Sequence, residues 1–136
     1  MKGQISTEYL IVVGFALLLT IPTVIVFFTE SSKNVAEVNT IQAKQIARKI
    51  VDNAEEVYYL GAPSTTTIKV IMPQGIQNIT IKNRYILITL NGAGQTPNQV
   101  LEQSLVNITG NLTPGSGMHT IRIENLGDRV NISYSS

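Results

Sequence analysis

The chain has 136 residues, a length that suits one compact unit together with an extended element. It contains no cysteine, which excludes a disulfide framework, thiolate zinc sites and a thiol nucleophile. Ten Lys and Arg residues against nine Asp and Glu residues give a formal net charge of +1, so the chain lacks the basic field that binds nucleic acid.

The first predicted element is an apolar helix, Gln4–Phe28. Residues 9–28 carry no charged side chain, and as a helix they span about 30 Å, the hydrocarbon thickness of a bilayer. A secretory signal peptide usually has a shorter apolar core, and Phe27–Glu30 offers no small-x-small cleavage site. The segment therefore predicts a membrane helix, and a permanent single-span anchor stays open as one use for it.

Glu8 is a carboxylate at the start of this apolar run. A carboxylate in the bilayer centre costs about 2.5–3.5 kcal/mol on insertion scales, and less near an interface. Glu8 either lies at headgroup depth, where the helix dipole favours an anion, or pairs with a cation on another copy of the chain. An unpaired buried charge is strongly destabilising, so such a pair would set the register between copies.

The residues around Glu8 carry a family resemblance. Gln4, Ser6, Glu8 and Tyr9 fit the motif Q-x-S-x-E-[YF], with Lys2-Gly3 before it and the apolar run directly after it. This resembles the class III signal peptide of archaeal type IV pilins, over about the first thirty residues. The resemblance implies that a prepilin peptidase cuts between Gly3 and Gln4 and removes the leader Met1–Gly3.

The resemblance also implies an assembly. The cut frees an α-amino group on Gln4 that is mostly charged at neutral pH, and Glu8 of a neighbouring subunit can pair with it. The precursor would sit in the cell membrane, and an assembly ATPase with a membrane platform protein would build a homopolymeric, extracellular surface filament for adhesion or cell contact. The alternative is a membrane-anchored extracellular binding module that does not polymerise.

Two positions interrupt the apolar run. Pro22 cannot donate to the Leu18 carbonyl and its ring crowds that group, so a kink is expected there. Gly14 is the second predicted kink position, and it is also a small site of the kind found where membrane helices approach closely.

A second helical pattern follows without a break and ends near Leu60. A core-facing stripe is predicted at three- to five-residue spacing, with its members Val35, Val38, Ile41, Ile46, Ile50, Ala54 and Val57. Gly61 suits a helix C-terminus, and Pro63 cannot continue the helix. The predicted helix thus covers 4–60, apolar over 4–28 and amphipathic over 29–60.

Residues 61–136 form a predicted β-rich head domain. Alternating apolar residues and turn signals predict strands at Thr66–Met72, Ile76–Lys82, Tyr85–Leu90, Met118–Glu124 and Val130–Tyr134. Asn98–Leu105 fits a short helix or a strand, and Leu105–Leu112 a strand. A half-buried antiparallel sheet needs an apolar partner, and the helix stripe supplies one. The predicted fold class is α+β and pilin-like: a long N-terminal helix whose C-terminal half packs on a small antiparallel sheet.

The head domain carries four N-x-[ST] sequons, which predict a glycosylated outer surface. Their asparagines are Asn78, Asn107, Asn111 and Asn131. Catalytic chemistry is scarce, since His119 is the one histidine and a lone histidine is far more often structural than catalytic. No enzyme activity, cofactor or metal is predicted.

Overall fold

The computed structural model describes residues 2–135, with Lys2 described by its backbone alone. It contains one helix, α1 (Lys2–Tyr59), followed by seven strands. The strands are β1 (Thr65–Met72), β2 (Ile76–Lys82), β3 (Tyr85–Leu90), β4 (Asn98–Gln103), β5 (Ile108–Gly110), β6 (Gly117–Asn125) and β7 (Val130–Tyr134). The predicted α+β class, a long N-terminal helix packed on a sheet, is confirmed. The chain divides into two compact units, one up to Val35 and one from Ala36 onward.

Helix α1 ends where the sequence predicts. The Leu60 amide donates to the Glu56 carbonyl at 3.0 Å and the Gly61 amide to the Tyr58 carbonyl at 3.1 Å. Gly61 adopts a φ of +87°, a left-handed conformation that glycine takes without a side-chain clash. At the other end, α1 begins two residues before Gln4, inside the predicted leader.

The sheet has the order β1-β6-β7-β5-β2-β3-β4. Every predicted strand is present, although only Ile108–Gly110 of the predicted strand Leu105–Leu112 is a strand. Asn98–Gln103 is a strand rather than a helix. All pairings are antiparallel except β5 with β7, which run parallel, so the sheet is mixed rather than purely antiparallel. The parallel pair joins strands that are not consecutive in the chain, and local turn signals carry no information about it.

The core lies between the second part of α1 and one face of the sheet. The helix contributes a row of small and branched side chains that are fully or almost fully buried: Ala43, Ala47, Ile50, Val51, Ala54 and Val57. Strand side chains alternate between this core and solvent, so β3 buries Ile86, Ile88 and Leu90. Small alanines on the helix allow close approach to the sheet, while branched residues on the strands fill the space.

Polar contacts join α1 to both edges of the sheet. The Lys49 Nζ donates to the Lys69 carbonyl of edge strand β1 at 3.1 Å. At the opposite edge, the Asn98 Nδ2 of β4 donates to the Thr40 Oγ1 at 3.1 Å. Because both edge strands reach the same helix, the sheet curls around this part of α1.

The predicted core stripe is wrong at its N-terminal end. Val35, Val38 and Ile41 are 59%, 52% and 51% exposed. The step from Ile41 to Ile46 is five residues, which turns about 140° around an α-helix. Val38 and Ile41 therefore lie on a different face from the buried row. Val35 lies within about 20° of Ile46 around the helix, and its exposure instead reflects its place before Ala43, the first buried residue of α1.

Candidate functional site: the exposed apolar segment of α1

The first part of α1 is apolar on every side and exposed on every side. Its large apolar side chains are 45% to 69% exposed. They are Ile5, Tyr9, Leu10, Ile11, Val12, Phe15, Leu17, Leu18, Leu19, Ile21, Val24, Ile25, Val26, Phe27 and Phe28. By length and composition this helix can cross a membrane, and no part of its apolar window is buried in the protein.

This surface is not compatible with a lone chain in water. Moving one large apolar side chain from water to a fully buried position is favourable by about 1.5–3 kcal/mol. Exposed apolar patches of this size mark contacts with proteins or membranes. The segment therefore acts by being covered, either by lipid or by other protein chains.

The threonine hydroxyls of the segment donate to carbonyl groups of the same helix. The Thr20 Oγ1 donates to the Ala16 carbonyl at 2.7 Å, and the Thr23 Oγ1 to the Leu19 carbonyl at 2.8 Å. A hydroxyl bonded in this way can enter an apolar environment without leaving an unpaired donor. These threonines do not need a polar partner from outside.

Pro22 lies inside α1, which stays helical on both sides of it. The missing amide leaves the Leu18 carbonyl without its usual helical donor, and the expected kink stays a prediction. A Cβ atom on Gly14 would meet no atom of this chain within 4 Å. The surface at Gly14 is therefore open to a close neighbour.

The predicted processing and register residues lie in the first turns of α1. The Gly3–Gln4 peptide bond is helical, and the Gly3 carbonyl accepts a hydrogen bond from the Thr7 Oγ1 at 2.8 Å. Met1, part of the predicted leader, lies outside the described residues. Glu8 and Tyr9 are exposed, and Glu8 forms no ion pair with any described residue. Gly3, Gln4, Glu8 and Tyr9 all lie within about the first two turns of α1.

Two of the four sequon asparagines lie in strands and two lie in the segments beside β5. Asn78, Asn107 and Asn111 are exposed, and Asn131 is half-buried. Asn131 lies in β7 between Thr109 of β5 and Glu124 of β6, its register partners. Asn131 is thus the least accessible acceptor, and glycosylation at all four sites stays a prediction.

His119 is part of a small aromatic cluster. Its ring lies 4.9 Å from the Tyr134 ring, and its Nε2 is 3.2 Å from the Gly115 carbonyl oxygen. The Tyr134 hydroxyl donates to the Thr113 carbonyl at 2.7 Å, and burial raises the pKa of this phenol above its ordinary value. Both side chains hold the segment that leads into β6, which is a structural role.

A surface depression of about 580 Å³ is lined by Asn83, Arg84, Tyr85, Gln103, Ser104 and Asn107, with no carboxylate or imidazole. Within residues 2–135, no three His, Asp or Glu side chains are grouped closely enough to hold a metal ion. This depression can offer hydrogen bonds to a ligand but has no evident general base.

One structural residue was missed by the sequence analysis. Asn125 is 4% exposed, and its Nδ2 lies 3.2 Å from the Val57 carbonyl and 3.3 Å from the Tyr58 carbonyl at the end of α1. Its Oδ1 accepts from the Gly127 amide at 2.8 Å. In the sequence, Asn125 is recognisable only as a polar residue at a position where β6 alternation points inward. That pattern does not indicate that its partners are carbonyl groups at the end of α1.

No protein-family model, curated protein or solved structure matches this chain.

Proposed function

We propose that this chain is a structural subunit of an extracellular filament of the archaeal type IV pilus kind. The observation that carries the proposal is the helical segment Gln4–Phe28, exposed around its whole circumference. Such a surface can be covered by lipid in a precursor and by identical segments in a polymer. The Q-x-S-x-E-Y motif at its start supports the second use.

Transfer from lipid to filament needs more than apolar burial. Lipid tails already cover the segment, so the gain on assembly must come from packing and from polar pairing between copies. A freed α-amino group at Gln4 beside Glu8 of a neighbour would supply one such pair. A prepilin peptidase would free that amine, and an assembly ATPase with a membrane platform protein would drive extraction.

The sheet domain is the part of the subunit that faces the surroundings in this proposal. Its exposed sequon asparagines Asn78, Asn107 and Asn111 support a glycosylated outer surface. The role of the filament would be surface adhesion or cell contact, without enzyme activity or cofactor.

A single-span, membrane-anchored binding module is the competing function. The same apolar helix supports it, because an anchor also needs lipid-covered side chains. An anchor has no use for a freed amine at Gln4, however, and gives Glu8 no partner. Processing at Gly3–Gln4 therefore separates the two functions.

The test is the mature N-terminus of the protein isolated from its native cell, read by mass spectrometry. A chain that begins at Gln4, or at its cyclised form, and that sediments in filaments supports the subunit. An intact Met1 on a dispersed, membrane-bound protein would overturn the proposal. Detection of an N-terminus beyond Phe28 would also overturn it, since the assembly helix would then be lost.

A further inference from the structure

One row of charged side chains on α1 has no partner within the described part of the chain. Lys44, Arg48, Asp52 and Glu56 follow one another at four-residue intervals and are all exposed. Among residues 2–135, none of these four side chains forms an ion pair or a hydrogen bond. We refer to these four residues as the charge row.

The charged residues beside the row behave differently, because they contact a strand and a loop of the sheet domain. Lys49 donates to the Lys69 carbonyl, and the Glu55 Oε1 accepts from the Leu105 amide at 2.9 Å. These two side chains contribute to the fold of one chain. The charge row does not, although it lies on the same part of α1.

The order of signs in the row is unfavourable for an isolated helix. Like charges four residues apart destabilise a helix, and both Lys44/Arg48 and Asp52/Glu56 are such pairs. The opposite pair Arg48/Asp52 has the cation on the N-terminal side, the less favourable order. Glu56 also lies near the negative end of the helix dipole, where the last turn contains no basic residue.

We propose that the charge row is a register contact between parallel copies of this chain. When one copy is displaced by eight residues, about 12 Å along the helix, its Lys44 faces Asp52 of the other copy and its Arg48 faces Glu56. Side chains four residues apart form a ridge on a helix surface, and ridges of neighbouring helices pack together. In one such contact the two cations of the displaced copy each face an anion of its neighbour. The anions of the displaced copy and the cations of its neighbour stay available for the next copies along the filament.

The parallel orientation rests on the proposed function, since copies inserted through the same N-terminal segment run in one direction. An antiparallel pair is also complementary in charge, with Lys44 facing Glu56 and Arg48 facing Asp52 in a closed two-fold dimer. Exposed ion pairs add little affinity. Their role here is to select the correct displacement between copies that the apolar segments hold together.

Because the chain has no cysteine, disulfide cross-linking can read the displacement directly. The double variant Lys44→Cys/Asp52→Cys places its thiols about 12 Å apart on one helix, beyond the roughly 7 Å Cα separation that a disulfide spans. Any bridge must therefore join two copies. Filaments on intact cells are oxidised and run on a non-reducing gel.

The matched control is Lys44→Cys/Glu56→Cys, which keeps the first cysteine and replaces the other anion. We expect a ladder of covalent oligomers from Lys44→Cys/Asp52→Cys and no bridging from the control. Covalent dimers from the control alone would show the antiparallel pairing and overturn the inference. Filaments that form but give no bridge with Lys44→Cys/Asp52→Cys would also overturn it and leave the proposed function standing.

Charge reversal provides a second measurement that does not depend on cysteine. Lys44→Glu/Arg48→Glu should reduce the ratio of filament to unassembled subunit by about two- to thirty-fold, the range expected for two exposed pairs. Adding Asp52→Lys/Glu56→Lys to the same chain should restore the ratio. If the variant with all four substitutions forms no more filament than Lys44→Glu/Arg48→Glu, the proposed contact is wrong. Failure of the wild-type chain to form filaments would instead count against the proposed function.

Discussion

Replacement of Asn125 should destabilise the head domain through the end of α1. This side chain joins β6 to the Val57 and Tyr58 carbonyls and also accepts from the Gly127 amide. The Ser64 Oγ donates to the Val57 carbonyl at 2.6 Å and Gly61 donates to the Tyr58 carbonyl, so both carbonyls keep one partner in Asn125→Ala. The Gly127 amide loses the only partner described for it.

The size of the effect follows from these contacts. A typical hydrogen bond contributes about 0.5–1.5 kcal/mol net, so loss of three gives about 1.5–4.5 kcal/mol for Asn125→Ala. Asn125→Asp keeps the shape and the acceptor but points a carboxylate oxygen at two carbonyl oxygens. Since a buried, unpaired charge is strongly destabilising, we expect Asn125→Asp to lower the free energy of unfolding at least as much as Asn125→Ala.

The measurement is the free energy of unfolding of the full chain in a mild detergent, obtained from hydrogen exchange of the β6 and β7 amides. These amides report on the sheet, whereas circular dichroism would include the detergent-covered part of α1. Asn53→Ala is the control, because the Asn53 Nδ2 donates only to the Lys49 carbonyl of its own helix, and a change within about 0.5 kcal/mol is expected. An Asn125→Asp variant as stable as the wild type would refute the reasoning.

Three further predictions concern assembly, close packing and pH. Glu8→Gln should insert and be processed normally but form few filaments. The control Glu30→Gln should assemble normally, because the Glu30 carboxylate pairs with Lys33 outside the apolar segment. Filament yield and the mass of the N-terminal peptide test both variants. Gly110→Ala should lower the free energy of unfolding by about 1–3 kcal/mol or more, because its Cβ would meet the Ile132 carbonyl oxygen, and denaturant unfolding measures this. Burial raises the pKa of Tyr134 in the native state, so the native state favours the neutral phenol more than the unfolded state does. The resulting contribution to the free energy of unfolding is fully present below about pH 10 and is lost as pH rises through the native-state pKa. Unfolding measured from pH 8 to pH 11 should show that loss in the wild type and a smaller one in Tyr134→Phe.

The elements with a local sequence signal could be predicted well. A long uncharged apolar run indicated the first part of α1, and Gly61 with Pro63 indicated its end. Short runs rich in apolar and β-branched residues, bounded by turn signals, predicted β2, β3 and β7 at their observed bounds. Each of these signals depends on residues that are neighbours in the chain.

The features that depend on distant residues could not be predicted. Pairing of β5 with β7 joins strands separated by the whole of β6, and Asn125 reaches a helix end 67 residues earlier. The exposure of Val38 and Ile41 was missed because an apolar residue at roughly helical spacing was assigned to the core. A strict count of the helical angle would have separated these two residues from Ala43 and Ala47.

Three features of α1 are not explained by the fold of a single chain. They are the exposed apolar segment, the carboxylate of Glu8 at its start, and the charge row from Lys44 to Glu56. In natural proteins, departures from agreement between sequence and fold concentrate at functional sites. A lipid anchor accounts for the apolar segment alone. In the proposed filament, association with identical chains would account for all three features, because a second copy would supply apolar cover, the freed Gln4 amine for Glu8 and opposite charges for the row.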